Sequence, residues 1–233
     1  MASNARKLSG FDWFLIVGTT AVSIASSLLG DGWDTLGFLV AVTGIINLVL
    51  CAKGNSWNYL FGIVYNAVYV YISWHSRLYA DSAIYLLYYL PMQFVGWVQW
   101  NRRLNAESGA VDAVHLNRRQ GLVLLGLGAV LVPAFAAVLG LPLIGDAQPW
   151  LDSVTTVVSI LAMYMMVKAI AEQWYIWIVL DAVQVVKWTV ATVRGEEHAA
   201  LMLVMFAFFL ANAVYGLIQW NGFARPASDR RQP

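Results

Sequence analysis

Charge is scarce in this chain. Only 12% of its 233 residues are Asp, Glu, Lys or Arg, 60% are hydrophobic, and the net charge is +1. Soluble domains carry about 25% charged residues, so a water-soluble globule is excluded. The near-neutral balance also leaves no electrostatic footing for nucleic acid. Cysteine is almost absent. Cys51 stands alone, so no internal disulfide can form, and its apolar run makes it a small packing residue. His75, His115 and His198 are far apart and fall at or near the ends of apolar runs, with no CxxC or HExxH spacing anywhere. That removes the usual metal signatures and leaves an integral-membrane enzyme without a nucleophile–base pair or ligand set at membrane depth.

What is present is a series of apolar runs of about 20 residues, the length that crosses a hydrocarbon core of roughly 30 Å. Turn or charge signals divide them into eight spans: 11–30, 35–53, 57–75, 81–100, 121–140, 151–170, 174–193 and 198–220. Arg6 and Lys7 precede the first as in a signal peptide, but its length and the lack of a small-x-small cleavage site read as a retained span. Basic residues set the orientation. Arg6, Lys7, Lys53, Arg102, Arg103, Arg118, Arg119, Lys168, Arg225, Arg230 and Arg231 fall on one side, and only Arg77 and Arg194 on the other. Both termini are expected in the cytoplasm.

The chain repeats itself. Gly96-Trp97-Val98-Gln99-Trp100-Asn101 and Gly216-Leu217-Ile218-Gln219-Trp220-Asn221 share G-x-x-Q-W-N. Upstream, Ile63 to Val68 matches Ile178 to Val183, with Trp57 and Trp174 near the start of the matching helices. The expected architecture is all-α, with one extra N-terminal helix and two parallel three-helix repeats joined by a linker helix (1+3+1+3). Its parts are a tail and extra helix at 1–34, the first repeat at 35–100, a loop and linker span at 101–150, the second repeat at 151–221 and a tail at 222–233. One linker crossing lets both copies insert with the same orientation. Parallel repeats of this kind occur in transporters, with the substrate between them near the midplane. The first span is expected outside that core.

Polar groups inside a membrane mark function by default. Within 174–189, WYIWIVLDAVQVVKWT, the residues Trp177, Asp181, Gln184 and Trp188 recur at i, i+4, i+7 and i+11, one helix face. Asn66 with Tyr69, then Tyr89, Gln93 and Trp97, and Asn212 with Tyr215 form further faces on corresponding helices. These faces predict one cavity lined by Asn66, Tyr69, Tyr89, Gln93, Trp97, Trp177, Asp181, Gln184, Trp188 and Asn212. Aromatic rings stack flat rings and attract cations. Amides and tyrosines bond hydroxyl and amide groups, and one carboxylate suits a positive charge or a sugar hydroxyl. An aromatic cation carrying a small polyol meets all three. Pro91 is expected to interrupt the fourth span and provide a bending point. Asn47 and Tyr164 are expected to act as helix-to-helix glue, and Trp57, Trp100, Trp174 and Trp220 as an interfacial aromatic belt. An Asp181–Lys187 ion pair is a weaker alternative, since the two are six residues apart and Lys187 can reach the interface.

The stretch from Trp57 to Arg102 resembles the PnuC family of vitamin transporters. The residues that carry the resemblance are Trp57-Asn58 with Gly62, Arg77-Leu78-Tyr79-Ala80-Asp81, Gly96-Trp97 with Gln99-Trp100, and, in the second copy, Trp174, Trp177 and Asp181. It extends over about 35–221. It implies a bacterial inner-membrane carrier of SWEET-like architecture that moves nicotinamide riboside by facilitated diffusion, with no cofactor, ATP site or obligate ion. It further implies a homotrimer in the lipid bilayer and a cytosolic kinase that traps the riboside by phosphorylation. Thiamine and riboflavin remain alternative substrates, and a binding subunit that needs an ATPase partner is a rival architecture.

Overall fold

The structure is a computed structural model that describes residues 7–29, 33–75, 79–141, 149–195 and 199–223. Each predicted run is a helix, with ends within three residues of the expected limits. They are α1 (Gly10–Leu29), α2 (Thr35–Ala52), α3 (Asn58–His75), a composite α4, α5 (Arg118–Leu139), α6 (Pro149–Val167), α7 (Gln173–Val193) and α8 (Ala199–Phe223). α4 consists of an α segment Tyr79–Ile84, a π turn Tyr85–Tyr89 and an α segment Leu90–Asn101. Arg77, Leu78, His198 and the basic residues of the tails, Arg6, Arg225, Arg230 and Arg231, lie outside the described residues.

The fold is all-α and multi-pass. Among the described residues, four helical stretches are by themselves long and apolar enough to cross a membrane: Thr35–Ala52, Arg118–Leu139, Gln173–Val193 and Met202–Gly222. α3 and α4 are richer in tyrosine, amide and serine side chains, which lowers their hydropathy. α5 turns Leu122, Leu125 and Val130 outward, each more than 60% exposed, as a lipid-facing helix does.

α2 packs on α3 and α3 on α4, while α6 packs on α7 and α7 on α8. Two further interfaces, α4 with α6 and α8 with α2, tie the groups together. α1 lies against α2 and α8, and α5 against α6. The ties are tightest at the end where α2, α4, α6 and α8 all finish. There the Trp100 indole Nε1 donates to the Met166 carbonyl at 3.1 Å, and Trp220 Nε1 donates to the carbonyls of Cys51 and Ala52, both at 3.1 Å. The two rings lie 5.8 Å apart, flanked by Tyr59 on Trp100 at 5.0 Å and Trp174 on Trp220 at 5.8 Å.

Trp100, Trp174 and Trp220 are therefore core residues and not an interfacial belt, each at most 1% exposed. The donors of Trp100 and Trp220 meet carbonyls that the helix ends of α2 and α6 leave without an intrahelical partner. Glycine makes room for the flanking rings. A Cβ on Gly96 would come within 2.2 Å of Tyr59, and one on Gly216 within 2.6 Å of Trp174. The structural counterpart of Trp174 is thus Tyr59. Trp57, 58% exposed, keeps an outward position.

The segment between α4 and α5 is more ordered than a plain loop. Val111 N–H donates to Gly54 O at 2.8 Å, Val114 N–H to Ala169 O at 2.9 Å, and Ala171 N–H to Val114 O at 2.9 Å. The segment thereby stitches the turn after α2 to the turn after α6. Glu172 fixes its far side, meeting His115 Nδ1 at 3.0 Å and accepting from Leu116 N–H at 3.1 Å.

Lys53 departs from expectation. Counted among the basic residues of the cytoplasmic side, it is 2% exposed and pairs with Asp12 at 2.8 Å, itself fully buried. Tyr215 Oη accepts from the Lys53 ammonium at 2.5 Å, and Ser9 donates to Asp12. α1 is thus pinned to the α2–α8 interface by charge and does not merely flank it. Lys53→Met should lower the stability of the purified protein by about 3–5 kcal/mol, because Asp12 stays buried and unpaired. Asp12→Leu together with Lys53→Met should restore most of the loss. Thermal unfolding in detergent reads both; a double variant as unstable as Lys53→Met alone would contradict the ion-pair account.

Candidate functional site

Pro91 explains the shape of α4. A proline has no N–H to give, and its ring clashes with the carbonyl four residues back. Here Pro91 sits at the start of the segment Leu90–Asn101, and the Leu90 N–H reaches back five residues to Tyr85 O. The predicted break is therefore a π turn at Tyr85–Tyr89, a feature that recurs at functional sites.

The π turn gathers tyrosines. Tyr69 lies 4.2 Å from Tyr85, Tyr85 4.8 Å from Tyr89, and Tyr89 5.3 Å from Tyr88, centroid to centroid, while Tyr65 stacks on Tyr69 at 6.1 Å. Two of these rings cross to α6. Tyr89 Oη donates to Ser159 Oγ at 2.7 Å, and Tyr88 Oη donates to Ile160 O at 2.7 Å. Ser159 in turn donates to Thr156 O at 2.9 Å, so its hydroxyl is free to accept. Tyr85 and Ser159 belong to this cluster and are additions to the predicted set. The density of tyrosine in Tyr85-Leu86-Leu87-Tyr88-Tyr89 was the available signal for Tyr85.

A second polar group lies within α2, α3 and α4. Gln93 and Asn47 converge on Gly62, where a Cβ would lie 2.3 Å from Gln93 Oε1 and 2.8 Å from Asn47 Nδ2. Asn47 donates to Asn58 O at 2.7 Å, as expected of a residue that fastens helices, and Asn66 donates to Gly62 O at 2.6 Å. Gln93 Oε1 is buried without a partner among the described residues.

On α7 and α8 the predicted residues separate into two kinds. Trp177 packs half-buried against the central core cluster, as do Trp97 and Tyr89. Asn212 is 1% exposed, and both polar atoms of its amide lack a partner among the described residues. Asp181 and Gln184 are partly exposed on α7, and no described side chain forms an ion pair with Asp181. The alternative pairing with Lys187 does not form: its ammonium lies over the Trp188 ring, 5.3 Å from the centroid. Trp188 stands about 16 Å along the helix from Trp177, and among the described residues its ring meets Lys187 and none of the other predicted residues. Tyr215, read as a partner of Asn212, is instead bound to Lys53 and Ser9.

The Tyr89–Ser159 bond couples α4 to α6 and can be weighed directly. Tyr89→Phe and Ser159→Ala should each cost about 0.5–1.5 kcal/mol of stability. The double variant should cost no more than the larger single change, in detergent unfolding measurements. Full additivity would show that the two side chains do not act as a pair.

Comparison with known proteins agrees with this architecture. The family model described as nicotinamide mononucleotide transporter matches residues 34–222. A protein of Neisseria mucosa named nicotinamide riboside transporter PnuC is 37% identical over 204 residues, covering 86% of this chain and 76% of its own. One of Haemophilus influenzae with the same name is 30% identical, covering 82% and 80%. A riboflavin/roseoflavin transporter, RibM, of Streptomyces davaonensis is 27% identical, covering 77% and 81%. Among solved structures, the crystal structure of the vitamin B3 transporter PnuC superposes with a TM-score of 0.76 at 33% identity, over 96% of this chain and 97% of that one. A multi-pass helical chain matched this fully in sequence and in fold belongs to the nicotinamide mononucleotide transporter family, the PnuC family of membrane transporters.

Proposed function

We propose that this chain is a uniporter that carries nicotinamide riboside across the bacterial inner membrane by facilitated diffusion. The observation that carries the reading is the likeness, over nearly the whole of both chains, to the vitamin B3 transporter structure. All eight helices cross the membrane in this reading. α2–α4 and α6–α8 are the two three-helix repeats, α5 is the linker and α1 the extra helix. Both termini are cytoplasmic in this reading, which the bias of basic residues supports, ten to two even with the buried Lys53 set aside. Three copies assemble, each with its own pathway. The carrier alone only equilibrates its substrate, so net uptake depends on a cytosolic kinase that phosphorylates the riboside.

The chemistry of the predicted lining favours this substrate over riboflavin and over a mononucleotide, and leaves thiamine, another aromatic cation, to the binding test. Trp97, Trp177, Tyr69 and Tyr89 offer faces to a pyridinium ring. Asn66, Gln93, Gln184 and Asn212 offer amides to the carboxamide and the ribose. Asp181 meets a ribose hydroxyl or the ring charge, and Trp188 closes the same face of α7. None of these ten side chains is cationic, so the phosphate of a mononucleotide would find no counter-charge. Riboflavin, the substrate named for the Streptomyces relative, is a neutral flavin and would leave Asp181 without a cation. The two repeats rock about this site, with the π turn of α4 as the bending point.

Titration calorimetry on detergent-purified protein tests the substrate. Nicotinamide riboside should bind, and riboflavin, thiamine and the mononucleotide should bind far more weakly. Asp181→Asn should weaken riboside binding by roughly tenfold to a hundredfold while leaving the unfolding temperature unchanged. Tight binding of riboflavin, or an Asp181→Asn variant that binds as the parent does, would contradict the assignment.

A further inference from the structure

We propose that the two repeats part along one seam only: the α4–α6 seam opens, and the α2–α8 seam, strapped by α1, is the hinge. A carrier must expose its site to each side in turn, so this inference stands on the transport reading above. The two seams are counterparts. α2 and α6 end in the same way: Lys53 is followed by Gly54 at φ +65°, and Lys168 by Ala169 at φ +58°. The residues after them close the same backbone turn, Asn55 N–H to Leu50 O at 3.0 Å and Ile170 N–H to Met165 O at 2.9 Å. α4 and α8 correspond through Gly96 and Gly216, each packed under a ring, Tyr59 in one case and Trp174 in the other. The Trp100 bond belongs to the first seam and the Trp220 bonds to the second, so the shared end does not tell the seams apart. A molecule built evenly throughout could part at either.

Counted from those anchors, the middles of the seams differ. Tyr88 and Tyr89 of α4 correspond to Phe208 and Phe209 of α8, and Ser159 and Ile160 of α6 to Gly44 and Ile45 of α2. In the α4–α6 seam the two tyrosines donate to Ser159 Oγ and Ile160 O. In the α2–α8 seam none of the four side chains carries a hydroxyl. Ile45 is fully buried there with Leu15 of α1, and Phe208 and Phe209 pack against them. α1 lies close over this seam: a Cβ on Gly18 would come within 2.7 Å of the Phe208 ring, and the Phe14 ring is 5.6 Å from it. The Asp12–Lys53 pair holds α1 in place. Lys168, the counterpart of Lys53, donates instead to Gln99 Oε1 of α4 at 3.3 Å and lies 5.9 Å from the centroid of the Tyr164 ring. Tyr164 was expected to glue helices; it is 42% exposed. Pro91 adds a third difference. Ala211 stands in its place on α8, which runs unbroken from Ala199 to Phe223, whereas α4 carries the π turn. A hydroxyl bond exchanges for one to water at small net cost, but an apolar contact opened to water loses its burial. The α4–α6 seam is the one that can part and close again.

Distances between spin labels at corresponding positions test the asymmetry. In a Cys51→Ala background, Leu87→Cys with Val154→Cys spans α4 and α6, and Ala207→Cys with Leu39→Cys spans α8 and α2; all four positions are exposed. Double electron–electron resonance on the full chain in lipid nanodiscs, without substrate, should give two distances for the first pair and one for the second. Ser159→Ala removes the acceptor of Tyr89. It should raise the ratio of the longer to the shorter distance about fivefold in the first pair and leave the second pair as it was. Two distances for the second pair would overturn the proposal. So would a single distance for the first pair, or Ser159→Ala populations that match the parent's. Riboside calorimetry on the same samples reads the transport proposal separately: no binding, with the seams behaving as expected, would fall on that proposal alone.

Discussion

Two indole N–H groups organise this molecule. Trp100 reaches from the last turn of α4 to the end of α6, and Trp220 from the last turn of α8 to the end of α2. In a membrane a helix end is difficult to bury, because its final carbonyls have no intrahelical donor and no water to turn to. Here the turn amides of Gly54 and Ala169 meet the Cys51 and Met166 carbonyls, and a tryptophan from another helix adds a further donor to each, which fixes the four chain segments together. The glycines at 96 and 216 follow from it, since the rings that flank the tryptophans need the space of a missing Cβ. So does the path of the segment after α4, which lies across the two turns and bonds to both.

The buried Asp12–Lys53 pair is the second constraint, and it acts on the same end. It draws α1 onto the α2–α8 interface next to the carbonyls that Trp220 uses. The polar groups proposed to meet substrate lie elsewhere. The tyrosine cluster, Gln93 with Asn66, and Asn212 sit further along the helices, where α4 is broken by its π turn and touches α6 through Tyr88 and Tyr89. In the proposed mechanism the fastened end keeps the repeats in register. The π turn, which has traded regular α-helical bonds for longer-reaching ones, supplies the freedom to rock.

Much of this was legible in the sequence. Apolar run length marked every helix, and the duplicated G-x-x-Q-W-N pointed to the two places where the structure puts its central tryptophans. Pro91 announced the break in α4. The misreadings share one cause: a residue near a span end looks the same in sequence whether its side chain turns out to the interface or in to a neighbour. Trp100, Trp174, Trp220 and Lys53 all turn in. Asp12 escaped notice because its partner lies 41 residues away on another helix. Ser159 was unremarkable among apolar neighbours until Tyr89 was seen to reach it. Conversely, the face from Trp177 to Trp188 was read from spacing alone, and a helical face does not say how much of its length a single cavity covers. Trp177 joins the core cluster, whereas Trp188 carries Lys187 over its ring, about three turns away.

Uptake by the purified chain in liposomes tests the central claim most directly. Labelled nicotinamide riboside should enter vesicles that contain this protein alone and stop when inside and outside concentrations are equal. Proton or sodium ionophores should make no difference, and a riboside kinase enclosed in the lumen should drive accumulation beyond that level. No entry without an ATPase partner, or accumulation that collapses with an ionophore, would contradict the account.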